Sequence, residues 1–189
     1  MTSILKVDNI QKANGSVPKA SDLGLNVTGS VLQVQYTQYT GTFSQALTAN
    51  TNAVLGDAAL SVSITPRSTS SIIKLDTHIF HEWGHQDVYG NHVWFFYRDT
   101  TKLAIPQAGS RLCGISASLL SYDYDIGSTP EIVSYSYFDA PNTTSQITYK
   151  IGILPRYSRT LYVNRTVTDN DNDGHDRGLS FTSATEIGG

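Results

Sequence analysis

Cysteine, methionine and glutamate are nearly missing from this chain of 189 residues: one, one and three, respectively. The lone Cys113 has no partner for an internal disulfide, so the fold must hold without covalent staples. Charged residues are only 15% and the formal net charge is −3. That excludes a basic nucleic-acid binder driven by counterion release, and it excludes a charge-rich disordered tail. No apolar run approaches the length of a membrane-spanning helix. No basic segment precedes an apolar stretch with a small-residue cleavage site, so no secretory signal is expected. Straight-chain helix formers are scarce and no window carries a 3.6-residue apolar stripe, which argues against helices of any length.

What the chain does hold is Ser and Thr, 42 together, with 11 Tyr, 6 Phe and a supply of Val and Ile. Such β-branched, hydroxylated and aromatic residues suit pleated, half-buried surfaces. From Val31 onward short alternating runs recur. Leu32, Val34 and Tyr36 form one row, and Leu60, Val62 and Ile64 form a second that stops at Pro66. Ile73, Leu75, Ile79 and Trp83 lie in phase, and Val93, Phe95 and Tyr97 follow a turn at Gly90-Asn91. Val133, Tyr135 and Tyr137 come next, then Ile147, Tyr149, Ile151 and Ile153. Leu161 with Val163 and Leu179 with Phe181 complete the series. Roughly nine or ten strands, with Pro130, Pro141 and Pro155 between runs, predict one all-β domain over residues 31–189. Its expected form is a single antiparallel β-sandwich, jelly-roll-like. Residues 1–30 hold one short apolar-polar segment (3–10, SILKVDNI) followed by Asn14-Gly15, Val17-Pro18, Gly24 and Gly29. They are too poor in apolar residues to build a core and predict an extended N-terminal arm, at most ~100 Å long at ~3.3 Å per residue.

Several stretches resemble the small tail-fibre-like virion structural proteins of tailed bacteriophages that infect aquatic bacteria, the cyanophage type. The opening MTSILKVDNIQ is similar to the leader of such appendage proteins. Their recurring β-domain is resembled by LSVSITP at 60–66 with SSIIK at 70–74, by YFDAP at 137–141 with TSQITYK at 144–150, and by the terminal EIGG. The resemblance covers the whole chain, but its motifs are strand and turn signatures and mark no catalytic site. It implies a homotrimer attached to other virion proteins, of the tail or the capsid, through the N-terminal arm. Ile4, Leu5, Val7 and Ile10 are the candidate apolar anchors for docking, by strand addition or groove insertion. The implied role is non-enzymatic: assembly, and attachment to a host cell-surface glycan. A capsid decoration protein, cement or head fibre, is the alternative.

Three constellations could carry chemistry. His81-Glu82-Trp83-Gly84-His85 matches the pattern in which His81 and His85 hold zinc and the glutamate activates water. That chemistry needs a helix, so that residues i and i+4 share a face. Here the preceding residues alternate as a strand and Gly84 sits inside the motif, so the expectation is a strand ending in a turn, with His81 in the row of Ile79 and Trp83. His78 falls on the opposite face, and His92 is the other conceivable third ligand. Asp169-Asn170-Asp171-Asn172-Asp173-Gly174 opens like a calcium loop, with Asp169, Asp171 and Asp173 as the oxygen donors. Ser180 stands where the bidentate acid belongs, and a polar loop tip is the competing reading. Tyr122, Asp123, Tyr124 and Asp125 pair acids with rings that could stack on a sugar. No cofactor is expected beyond that calcium ion. No nucleophile elbow or phosphate-cradling glycine loop occurs, and Cys113 in RLCGI (111–115) reads as an inert buried thiol in a strand.

Overall fold

The computed structural model describes residues 9–18, 28–84, 91–119 and 128–189. Twelve strands are found among them. In chain order these are β1 Val31–Tyr39, β2 Phe43–Leu47, β3 Ala53–Val54, β4 Val62–Ile64, β5 Ile72–Trp83 and β6 Asn91–Arg98. After them come β7 Thr101–Leu103, β8 Ser116–Leu119, β9 Glu131–Asp139, β10 Ile147–Pro155, β11 Arg159–Val163 and β12 Ser180–Ile187. One turn of 3-10 helix, Asp57–Ala59, is the helical element among the described residues.

All pairings are antiparallel, and they follow one rule. β1 pairs β12, β2 pairs β11, β3 and β4 pair β10, β5 pairs β9, and β6 pairs β7 and β8. These are successive rungs of one long hairpin. Rolling that hairpin brings β12 and β11 against β5, and β10 against β6. Sheet I therefore runs β1-β12-β5-β9 with β2-β11 continuing beside β5, and sheet II runs β3/β4-β10-β6-β7/β8. That is the jelly roll, with every rung joining the first half of the chain to the second. It has more strands than the sequence suggests because three of its edges are split into short collinear pieces.

Each split leaves backbone groups that need partners, and local residues supply them. Between β12 and β11, the Phe80 amide donates to Ser180 Oγ (3.1 Å) and its carbonyl accepts from the Asn164 amide (2.9 Å). Asn164, held at φ 60, also donates through Nδ2 to the Tyr39 and Gly41 carbonyls and accepts from Ser180 Oγ. Between β4 and β3 the Leu55 amide reaches the Ile151 carbonyl, and between β7 and β8 the Ile115 amide reaches that of Trp94.

The core lies between the sheets and contains the expected rows Leu60–Val62–Ile64, Ile73–Leu75–Ile79–Trp83, Val133–Tyr135, Ile147–Tyr149–Ile151–Ile153 and Leu161–Val163. Three expected rows face the other way. On β6 it is Trp94 and Phe96 that join the core, so Val93, Phe95 and Tyr97 lie on the outer face. Phe95 is nevertheless fully buried, because Gly152 on β10 leaves room for its ring and Lys102 Nζ sits 4.1 Å over it. On β12 the buried row is Ser180, Thr182, Ala184 and Glu186, leaving Phe181 outside. On β1, Val34 and Tyr36 are exposed, while Gln33 and Thr37 reach inward to the Thr65 and Ser61 carbonyls. Cys113 is buried as expected, but in the segment between β7 and β8 and not in a strand. The described part of the arm is not extended throughout: residues 12–16 close a turn, with the Lys12 amide on the Ser16 carbonyl.

The strand registers define two ends. At one, Val31, Ile187 and Ile72 come level, Gly29 and Ser30 exchange backbone hydrogen bonds with Gly188, and Ser70 bonds Gly189. At the other, the ends of β2, β5 and β10 meet the starts of β3, β6, β9 and β11. We call these the proximal and distal ends. The arm joins the body at the proximal one.

Candidate binding site at the distal end

The distal end is built on a plug of rings. His81 and Trp83 project inward from β5 and meet His92 and Trp94 from β6. The Trp83 and His92 rings stack at 3.7 Å, and His81 sits edge-on to Trp94 at 5.0 Å. All four are essentially sealed from solvent. Burial pushes the His81 ring down to about 4, against the partial support of the Ile79 carbonyl. Burial, followed by the neighbouring His81 and Arg159, pushes His92 down to about 3. Both rings are therefore neutral at pH 7. Among the described residues His81 Nε2, His92 Nε2 and Trp83 Nε1 have no hydrogen-bond partner, although Glu131 Oε2 stands 3.9 Å from His81 Nε2.

Glu82 projects to the opposite face of β5 and is also fully buried. Its Oε1 accepts from the amide and hydroxyl of Thr129 (3.0 and 3.1 Å), and its Oε2 accepts from the Val167 amide at 2.7 Å. One carboxylate thus ties down two separate connections. The arrangement differs from a zinc-hydrolase motif in both respects that matter. The segment is strand through Trp83, and adjacent residues of a strand point to opposite faces, so His81 and Glu82 address different surroundings.

A groove of about 650 Å³ opens on the outer side of sheet II at this end. Its lining includes the apolar Val93 and Leu112, the amide-bearing Asn50 and Asn91, and the exposed Arg111 and Arg156. Short backbone bonds set these walls: the Asn50 amide on the Pro155 carbonyl (2.7 Å) and the Arg156 amide on the Asn91 carbonyl (3.0 Å). Arg111 holds the Ala108 carbonyl, and Arg156 Nε donates to the Tyr157 hydroxyl with its guanidinium over that ring. A second depression of about 550 Å³, between Ser63, Asp99, Thr148 and Lys150, lies toward the proximal end and mixes both signs of charge.

No protein-family model matches this chain, and no curated protein does. The solved structures it resembles include two from one virus. The crystal structure of the infectious bursal disease virus VP2 subviral particle superposes with a TM-score of 0.35 at 12% identity, over 84% of this chain and 42% of that one. The structure of infectious bursal disease virus Gx strain gives 0.36 at 12%, over 83% and 37%. This chain spans about two-fifths of their length. At such TM-scores the likeness carries no argument about function.

The residues singled out from sequence fare differently. Ile10 is about half exposed, while Ile4, Leu5 and Val7 lie outside the described residues. His85 lies outside them too, as do Tyr122, Asp123, Tyr124 and Asp125. Asp169 is engaged by two arginines, Arg177 at 2.7 Å and Arg165 at 3.4 Å, while Asp171 and Asp173 point to solvent. The described residues contain no group of three or more His, Cys, Asp or Glu placed to hold a metal, so the three aspartates do not converge on a calcium site. Sequence reasoning missed the groove altogether. Arg111 and Arg156 are 45 residues apart and belong to no motif, and only the roll brings them together.

Proposed function

We propose that this chain is a non-enzymatic virion structural protein, a homotrimeric appendage. It docks to the particle by residues 1–30 and presents its distal loops for host attachment. The observation that carries this reading is the polarity of the fold. The arm joins the body at the end where Gly29 and Ser30 bond Gly188, and the groove with its flanking connections sits at the opposite end. An anchor at one pole and a recognition surface at the other is the geometry an appendage needs. Trimerisation is supported by the outer face of sheet I, where Val34, Tyr36, Ile132 and Phe138 are each half or more exposed, an arrangement that favours a protein partner. The non-enzymatic reading is supported by Glu82, whose carboxylate oxygens are taken up by structural hydrogen bonds.

Deleting residues 2–20 tests the reading directly. The variant is expected to remain a folded trimer by sedimentation and to be absent from purified particles. Incorporation at the normal level would refute arm docking, and a monomer mass for the intact chain would refute the trimer. Copy number then separates the two addresses: a few per particle indicates a tail appendage, and many indicates the capsid surface.

A further inference from the structure

We propose that the distal groove binds a carboxylate-bearing saccharide of the uronic-acid type, with Arg111 and Arg156 receiving the carboxylate. The inference deepens the attachment role proposed above and rests on it, since that reading is what makes a glycan the relevant partner. Four observations lead to it. The chain is sparingly charged and net negative, yet the charged side chains lining this groove are two arginines and its described lining contains no acid. Neither guanidinium forms an ion pair among the described residues. Arg111 Nη1 bonds a backbone carbonyl, and Arg156 uses Nε on the Tyr157 hydroxyl, which leaves both Arg156 terminal nitrogens without a partner among the described residues. A guanidinium with two parallel N–H groups matches a carboxylate in a way a single point charge does not.

The remaining lining answers the rest of a sugar. Asn50 and Asn91 offer amide donors and acceptors for ring hydroxyls. Val93 and Leu112 add apolar lining for the C–H face of a pyranose. A volume of about 650 Å³ falls in the ordinary range of small-ligand sites and takes two or three sugar units. The proximal depression lacks this combination, because Asp99 stands in the same wall as Lys150 and would repel a carboxylate.

The test uses the intact chain and titrates it calorimetrically with a hexagalacturonate, with its fully methyl-esterified form, and with sodium sulfate at matched ionic strength. The acid oligomer is expected to bind at least tenfold more tightly than the ester, and R111Q and R156Q are each expected to weaken it fivefold or more. Both arginines are solvent-exposed, so these variants should keep the parent melting temperature, which is measured alongside. Equal affinity for the ester would overturn the carboxylate assignment. Displacement by equimolar sulfate would overturn the saccharide in favour of a bare anion site. Absence of binding to the acid oligomer would overturn the site itself. Because these measurements need no particle, they fail or succeed separately from the arm deletion.

Discussion

Two buried histidines make this protein acid-sensitive in a definite window. Unfolded, His81 and His92 take up protons near 6.5; folded, they resist until about 4 and about 3. Between those values the unfolded chain binds more protons, so stability rises with pH. The histidine contribution is complete above 6.5 and is lost as the pH falls through 6.5 towards 4. The groups that face the pair are Glu131, which favours a charged His81, and Arg159, which opposes a charged His92. By pH 5 each ring should have cost about 2 kcal/mol, at ~1.4 kcal/mol per unit. Urea midpoints are expected to fall steeply between pH 7 and 5 and to flatten in an H81F/H92F double variant, where Phe preserves the ring packing. Glu186 acts lower down. Burial pushes its carboxyl up, but hydrogen bonds from Ser71, Gln33 and the Arg67 amide, with the Arg67 charge, outweigh that and hold it below the usual range. Its stabilising share is present above the ordinary carboxylate range and is lost only as the pH falls below it. Glu82 gives a second prediction at this scale. Glu82→Gln replaces one acceptor by a donor facing either the Thr129 or the Val167 amide, both of which bond it now. The loss should be about 1–3 kcal/mol by denaturant melts, with no compensating change elsewhere. An unaltered midpoint would contradict the bonding described.

At the scale of elements the weak points are the seams where two strands share one edge of a third. Asn164 closes the seam between β11 and β12 with four hydrogen-bonding groups and a positive φ. N164A should lose on both counts, about 2–4 kcal/mol, whereas N164G removes the side chain but not the backbone tolerance and should lose less. Thermal melts of the two variants side by side separate bond loss from strain, and equal losses would deny a conformational share. Gly152 marks another constraint. A Cβ there would lie 2.1 Å from the Phe95 ring, so Gly152→Ala has to displace that buried ring. These seams also explain what could be read from sequence and what could not. Period-two alternation located eight of the twelve strands, because a strand's own residues carry that signal, and it passed over β2, β3, β7 and β8, which are five residues or fewer. It misassigned the inner face of β6 because Trp94 and Phe96 alternate with Val93 and Phe95, and both rows are apolar. It misassigned β12 because the core accepts Thr182 and Glu186, whose partners lie far away in the chain. The distal groove left no local trace for the same reason: its walls come from four separate segments.

At the scale of the whole molecule the two ends of the described body differ, the arm joining at one and the groove opening at the other, and the proposed orientation can be tested on intact particles. The native thiol, Cys113, is buried, so an introduced surface cysteine would be the reactive one. Thr51 is exposed in the distal connection between β2 and β3, and Thr69 is exposed in the proximal connection between β4 and β5, near the Ser70–Gly189 contact. In the free protein T51C and T69C should react with a bulky maleimide at similar rates. On assembled particles T51C should keep its rate, while T69C, at the pole from which the arm departs, should slow at least tenfold under the shelter of its neighbours. Protection of the distal cysteine in place of the proximal one would invert the proposed orientation. Equal reactivity of both would mean that the body stands clear of the particle on its arm, and the proximal face would then have no part in docking.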